Sequence, residues 1–183
     1  MASRSQLESD RRAILQLHKD WWESNAGIDI PRMATCFPTG KSYLMFNSNG
    51  HPYFGIDEKV HLWSHYKDQI DVSDVVVKII ALHISGDMGW LACEGESRVR
   101  LVGAEGTGTE TLQVGDDGLL MTFRATEVYE RNDGDGGASW KMWHFHGSPT
   151  APLNEPRPGF SDSAHDRGLG GNPWGDALEV VGT

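Results

Sequence analysis

The residues that most strongly suggest chemistry lie on one predicted strand, residues 90–102. Side chains alternate between the two faces of a strand, and the charged face here holds Glu94, Glu96, Arg98 and Arg100. Burial raises the pKa of a carboxylic acid, whereas a nearby guanidinium group lowers it. We therefore predict a polar pocket floor, with Glu96 as general base and with Arg98 and Arg100 orienting the substrate. A solvated face of paired charges is the alternative.

Histidines form a second group of candidates, because imidazole gains or loses a proton near neutral pH. His144 and His146 share one predicted strand, and His51 follows a hairpin turn. We predict that His144 or His51 donates a proton to a leaving oxygen and that His146 contacts the substrate; hydrogen-bonded sheet histidines are the alternative. His61 and His65 have metal-ligand spacing, but no third ligand accompanies them. We therefore predict no metal and no organic cofactor.

Helical periodicity occurs first in the chain and strand periodicity later. The patterns predict helices at residues 5–25, 30–37 and 56–69, and strands at 43–47, 52–54, 72–85, 90–102, 119–131 and 140–148. This order predicts an α+β fold with a mainly antiparallel sheet. We assign residues 1–150 to one domain and residues 151–183 to a Gly- and Pro-rich arm without regular structure.

Composition excludes several classes of partner. The 183 residues carry a net charge of −10 without a basic stripe, so we expect no nucleic acid and no membrane partner. Two distant cysteines, no long apolar run and no signal-peptide core favour a reduced, cytoplasmic protein. The apolar face of strand 90–102 needs a cover and predicts a homodimer through the outer sheet face. That face holds Leu91, Cys93, Val99 and Leu101.

The segment Trp140-Lys141-Met142-Trp143-His144-Phe145-His146-Gly147-Ser148-Pro149 resembles the closing strand of the SnoaL-like and nuclear-transport-factor-like superfamily. It is especially similar to the association domain of calcium/calmodulin-dependent kinase II. The resemblance implies a cystatin-like fold, in which a cone-shaped, curved sheet and N-terminal helices enclose a pocket. The kinase domain has arginines at two pocket positions where this chain has Glu96 and Glu127, so an anion-binding pocket is not implied.

A second segment, Tyr43-Leu44-Met45-Phe46-Asn47-Ser48-Asn49-Gly50-His51-Pro52-Tyr53-Phe54-Gly55 followed by Lys59 and Trp63, resembles the sphingomonad diarylpropane lyases of this superfamily. Those enzymes release formaldehyde from lignin-derived diaryl diols without a cofactor. The resemblance implies a lyase that acts on a small aromatic substrate and forms a stilbene. A SnoaL-like isomerase or dehydratase, and a non-catalytic association or small-molecule binding domain, are the alternatives. The predicted substrate contacts include Tyr43, Asn47, Tyr53, Lys59, Trp63, Glu127 and Tyr129.

Overall fold

The computed structural model describes residues 3–102, 118–150 and 180–182. Three helices, α1 (Arg4–Asn25), α2 (Ile30–Thr35) and α3 (Gly55–Tyr66), precede the long strands, as the sequence predicts. The Ser3 hydroxyl caps α1 by accepting a hydrogen bond from the backbone N–H of Gln6. Four positions at three- and four-residue steps bury one face of α1: Ile14, His18, Trp21 and Trp22. This face covers the sheet.

A short hairpin connects α2 to α3. Strands β1 (Leu44–Phe46) and β2 (Pro52–Phe54) pair antiparallel, and Gly50 in the turn has a φ of 84°. Gly55, with a φ of 74°, joins β2 directly to α3. A Cβ atom there would lie 2.9 Å from the Gly40 carbonyl oxygen, so only glycine fits this junction. The hairpin therefore fixes where α3 starts.

Seven strands form one sheet in the order β2-β1-β6-β5-β4-β3-β7. The long strands are β3 (Ile70–Ser85), β4 (Met88–Leu101), β5 (Leu119–Arg131) and β6 (Trp140–Pro149). Neighbouring long strands pair antiparallel, and β1 pairs parallel with β6. Register shifts in β3 at Ser73/Val76 and Ile79/Ala81 mark bulges, which bend a sheet. The sheet curves around the helices, and the predicted fold class is confirmed.

The two faces of β4 are the reverse of the prediction. Leu91 and Cys93 are buried against the helices, whereas Glu94, Glu96 and Arg98 are only half-buried on the opposite face. Burying apolar area stabilises the fold while burying charge costs free energy, so the helices cover the apolar face. The pocket floor therefore excludes the charged row. The homodimer stays a prediction that light scattering can test. Of the apolar residues that suggested it, Leu91 and Cys93 are buried inside the subunit, whereas Leu101 is exposed.

The C-terminal arm is described only at its end. Residues 151–179 and 183, for which the sequence predicted no regular structure, lie outside the described residues. The backbone of β7 (Val180–Gly182) pairs antiparallel with β3, so the prediction is wrong for these three residues. Among the residues that the structure describes, no helix has the length and apolar character needed to cross a membrane.

Candidate active site

A cavity of about 580 Å³ lies between the helices and the inner face of the sheet. Most of its wall is apolar, and six aromatic side chains contribute to it: Trp21, Trp22, Trp63, Tyr66, Phe123 and Phe145. Polar groups come from α1, from the β1–β2 turn and from strand ends, and include Asn25, Asn47, Asn49, Ser97 and Thr122. A volume of this size suits a small organic molecule, and the wall favours an apolar, aromatic one.

Lys59 of α3 lies directly behind this wall and has no exposed surface. Its Nζ is 4.6 Å from the ring centroid of Trp21 and 5.0 Å from that of Trp63. Phe37, Tyr43 and Phe145 complete a cage of five rings around the amine. Nζ donates a hydrogen bond to the Tyr43 hydroxyl at 3.4 Å and contacts Met45 Sδ. No carboxylate of the described residues forms an ion pair with Lys59.

Burial controls the charge of this amine. It lowers the pKa of Lys59 well below that of an exposed lysine. Ring faces stabilise an ammonium ion by about 0.5–2 kcal/mol, but desolvation of an ion costs several kcal/mol, so the uncharged form is favoured. Burial, with the charge of Glu127 second, raises the pKa of Tyr43. Both shifts favour the neutral groups, a free amine at Lys59 and a protonated phenol at Tyr43, and a free amine can accept a proton.

Glu127 of β5 is a second buried ionisable group, and its carboxylate is surrounded by donors. His18 Nδ1 lies 2.8 Å from Oε2, and Trp22 Nε1 donates to Oε1 at 2.8 Å. The Tyr129 hydroxyl donates to Oε2 at 2.5 Å. Burial, reinforced by the charge of Glu127, raises the pKa values of Tyr129 and Cys93, so both keep their protons. Glu127 thereby ties α1 to the sheet and fixes Trp22 in the cavity wall.

The same cluster contains possible metal ligands. His18, Cys93 and Glu127 offer ligand atoms that all lie within 4.8 Å of one another. However, both oxygens of Glu127 already accept hydrogen bonds. His18 Nε2 has no partner among the described residues, whereas the second nitrogen of a metal-bound histidine is normally hydrogen-bonded. A hydrogen-bonded carboxylate accounts for this arrangement better than a metal site.

The predicted histidines lie away from the cavity. Phe145 and Gly147 line the cavity. His144 and His146 alternate with them along β6 and therefore point to the other face of the sheet. There the Phe46 ring contacts both imidazoles edge-on. Burial lowers the pKa of His144, while its hydrogen bond to the Leu44 carbonyl acts in the opposite direction. His51 and His146 line a second, open cleft of about 430 Å³.

His144 and His146 do not share a face of β6 with Trp140 and Met142, although a regular alternation would place all four on one face. A register shift in β6 pairs Val128 with His144 and Tyr129 with Met142. Because this bulge inserts an extra residue, the alternation reverses between Met142 and His144. Trp140 and Met142 are consequently buried in the core and the histidines are on the outside.

Other predicted contacts are distributed over both regions. Asn47 lines the main cavity, as does Trp63. Tyr53 is half-buried, and its hydroxyl accepts a hydrogen bond from Asn49 at 2.8 Å. Arg98 forms an ion pair with Asp74 at 3.5 Å, and Arg100 is exposed at the end of β4. Neither arginine lines the main cavity.

The sequence matches the SnoaL-like domain family over residues 14–152. This chain belongs to that family. No curated protein matches the sequence.

Several solved structures share the fold of this SnoaL-like domain. A candidate dehydratase of the nuclear-transport-factor-like family from Streptomyces avermitilis has a TM-score of 0.59 at 15% identity, over 79% of this chain and 99% of that one. A ketosteroid isomerase-like protein from Erwinia carotovora atroseptica has a TM-score of 0.59 at 13% identity, over 77% and 96%. A candidate calcium/calmodulin-dependent kinase II association domain from Thiobacillus denitrificans has a TM-score of 0.51 at 14% identity, over 74% and 93%. At these identities the likeness establishes the fold.

Sequence reasoning missed His18, Trp22 and Phe123 in the site of this SnoaL-like domain. The rings of Trp22 and Phe123 stack at 4.6 Å in the cavity wall, in front of Glu127. One signal was available for His18, since it occupies the apolar stripe of α1, four residues after Ile14. A lone ionisable residue on such a stripe must find a buried partner.

Proposed function

We propose that this SnoaL-like domain is a cofactor-independent enzyme that performs acid–base chemistry on a small aromatic molecule held in the cavity. The observation that carries the proposal is Lys59, a fully buried amine whose cage rings Trp21, Trp63 and Phe145 also line the cavity. An amine of lowered pKa is a suitable general base near neutral pH. The fold neighbours described as a dehydratase and as isomerase-like support the reaction class.

The specific reaction that we propose is formaldehyde release from a phenolic diarylpropane diol. The substrate first loses water, from its benzylic hydroxyl and its phenolic proton, and becomes a quinone methide. The terminal hydroxyl then gives its proton to a base while the adjacent C–C bond breaks. The electron pair of that bond restores the aromatic ring, and stilbene and formaldehyde are the products. Electrons shift only within the substrate, so no redox partner is needed.

Lys59 is the proposed acceptor of the terminal hydroxyl proton. Its protonated form would be an ammonium ion inside five ring faces, a setting that stabilises the ion formed during the proton transfer. Glu127 is a positioning residue, because its oxygens already hold His18, Trp22 and Tyr129. A dehydratase would catalyse only the first of these two reaction steps, the loss of water.

The test is a turnover assay with a phenolic diarylpropane diol, in which formaldehyde and stilbene absorbance are followed together. Lys59→Met keeps the side-chain length and removes the base, so we expect the rate to fall by about a hundredfold or more. Lys78→Met, on the outer side of β3, is the matched control and should retain the wild-type rate. Far-UV and near-UV circular dichroism verify that both variants fold.

The assay distinguishes a lyase from a dehydratase and from a binding module, and it tests the role of Lys59 separately. A wild-type protein that releases water but no formaldehyde is a dehydratase, and the lyase version is then wrong. A wild-type protein that binds stilbene analogues but converts no diol is a binding module. If the wild type turns over and Lys59→Met is equally fast, the reaction stands and the assignment of Lys59 is overturned.

A further inference from the structure

Lys59 differs from an ordinary buried lysine because several side chains around its amine also line a cavity. One of them is Met45, whose sulfur contacts Nζ. Methionine has three flexible torsions and repacks readily. A ligand that displaces Met45 from the cavity wall would occupy the space next to Nζ.

The surroundings of Nζ also leave the amine chemically available. Among the described residues, its polar contacts are the Tyr43 hydroxyl and the Met45 sulfur, and the remaining neighbours are rings. Lys59 is the one buried lysine in the part of the chain that the structure describes. An amine without an acidic partner keeps its lone pair, which makes it a nucleophile as well as a base.

We propose that Lys59 is a covalent binding site for apolar carbonyl compounds, and that an aldehyde on an aromatic body enters the cavity and forms an imine with Nζ. The amine adds to the carbonyl carbon, and the carbonyl oxygen leaves as water with both amine protons. A carbon–nitrogen double bond replaces the carbon–oxygen double bond, so no electrons are gained or lost. The inference uses the same cavity as the proposed function but does not depend on lyase activity.

Two physical features favour this reaction at Lys59 over the exposed lysines. Burial lowers the pKa of Lys59, and each unit of lowering gives about tenfold more free amine at neutral pH. The apolar wall concentrates an aromatic aldehyde next to Nζ and limits the water that would hydrolyse the imine. Small polar aldehydes gain nothing from the wall.

The test is reductive trapping of the full chain with cinnamaldehyde and cyanoborohydride at pH 7, followed by peptide mass spectrometry. Each adduct adds the mass of the aldehyde less one oxygen. We expect Lys59 to be modified at least about tenfold faster than the exposed Lys41 and Lys67, which serve as internal controls in the same sample. Equal or slower modification of Lys59 overturns the proposal.

Two variants sharpen the experiment. Lys59→Met should lose the fast adduct and keep the slow background at the exposed lysines, whereas Lys78→Met should keep the fast adduct. Met45→Ala shortens this side chain and should speed the trapping of Lys59 severalfold; no acceleration contradicts the proposed route through Met45. Diol turnover without fast trapping at Lys59 overturns this inference alone, and fast trapping without turnover overturns only the proposed lyase.

Discussion

Lys59 and Glu127 are both fully buried next to the tryptophan pair of α1, but their surroundings differ. Glu127 accepts hydrogen bonds from Trp22 and Tyr129 and pairs with His18. Lys59 packs against Trp21, and its polar contacts are the Tyr43 hydroxyl and a thioether sulfur. The carboxylate of Glu127 is therefore surrounded by hydrogen-bond donors, whereas the amine of Lys59 has few polar partners.

The difference separates a structural role from a chemical one. A buried carboxylate with several donors stabilises the elements that supply those donors, provided that every member is satisfied. A buried amine with few partners costs stability, and sites that sacrifice stability are frequently functional. We therefore expect substitutions at the two positions to change stability in opposite directions.

The largest expected effect is at Glu127. In Glu127→Gln, an amide NH₂ replaces one carboxylate oxygen and faces donors such as Trp22 Nε1–H. Removing one partner of a buried charged network typically costs about 3–5 kcal/mol, so we expect the free energy of unfolding to fall by about 3 kcal/mol or more. Urea unfolding measures this change. Tyr129→Phe, which removes one donor, is the graded control and should cost about 1–2 kcal/mol. A Gln variant as stable as the wild type would contradict the structural role.

A smaller effect, with opposite sign, is expected at Lys59. Lys59→Met conserves volume and removes the cost of burying the amine, so we expect a gain of about 1–2 kcal/mol at pH 7. Because burial lowers the pKa of Lys59 in the folded state, the unfolded chain binds the extra proton between that pKa and about 10.4.

The gain must therefore depend on pH. Raising the pH removes the proton from the unfolded chain, so wild-type stability rises and the advantage of Met shrinks by up to about 1.4 kcal/mol per pH unit. The raised pKa values of Tyr43 and Tyr129 are present in both proteins and do not enter the difference to first order. Urea unfolding of both proteins from pH 7 to 9.5 measures the effect. An advantage that stays constant over this range contradicts an uncharged Lys59.

The sequence was sufficient for the fold because period and turn chemistry agree along the described chain. The predicted helices and long strands match α1, α3 and β3–β6 to within a few residues. Alternation along β4 correctly separated an apolar face from a charged face, but it did not show which of the two the helices cover. The charged row was assigned to the pocket on the assumption that chemistry requires a polar floor. In the structure, isolated ionisable residues on apolar positions approach the cavity instead.

In the site, the position of Lys59 could be predicted from the sequence, but the ring cage around it could not. Lys59 stands on the apolar stripe of α3 with Leu62 and Trp63, as His18 does on α1. These positions are visible in the sequence, and the resemblance to diarylpropane lyases drew attention to Lys59. The cage around Nζ combines rings from separate elements, including Phe37, Tyr43 and Phe145, and only the tertiary structure brings these together. The bulge in β6 likewise could not be predicted, because the sequence pattern there continues to alternate as in a regular strand.

The smallest expected effect is at Glu96, the base that the strand pattern alone suggested. Its register partner Val76 is exposed, and Ser97, which follows it on the strand, lines the cavity, so Glu96 faces the outer side of the sheet. Substitutions at such partly solvated positions usually change stability by less than about 0.5 kcal/mol. We expect Glu96→Gln to stay within that range and to keep the diol turnover rate within about twofold, whereas Lys59→Met in the same assay loses about a hundredfold. Comparison of the two rates shows on which face of the sheet the reaction takes place. If Glu96→Gln abolishes turnover while its unfolding curve is unchanged, the chemistry takes place on the outer face and the cavity is not the active site.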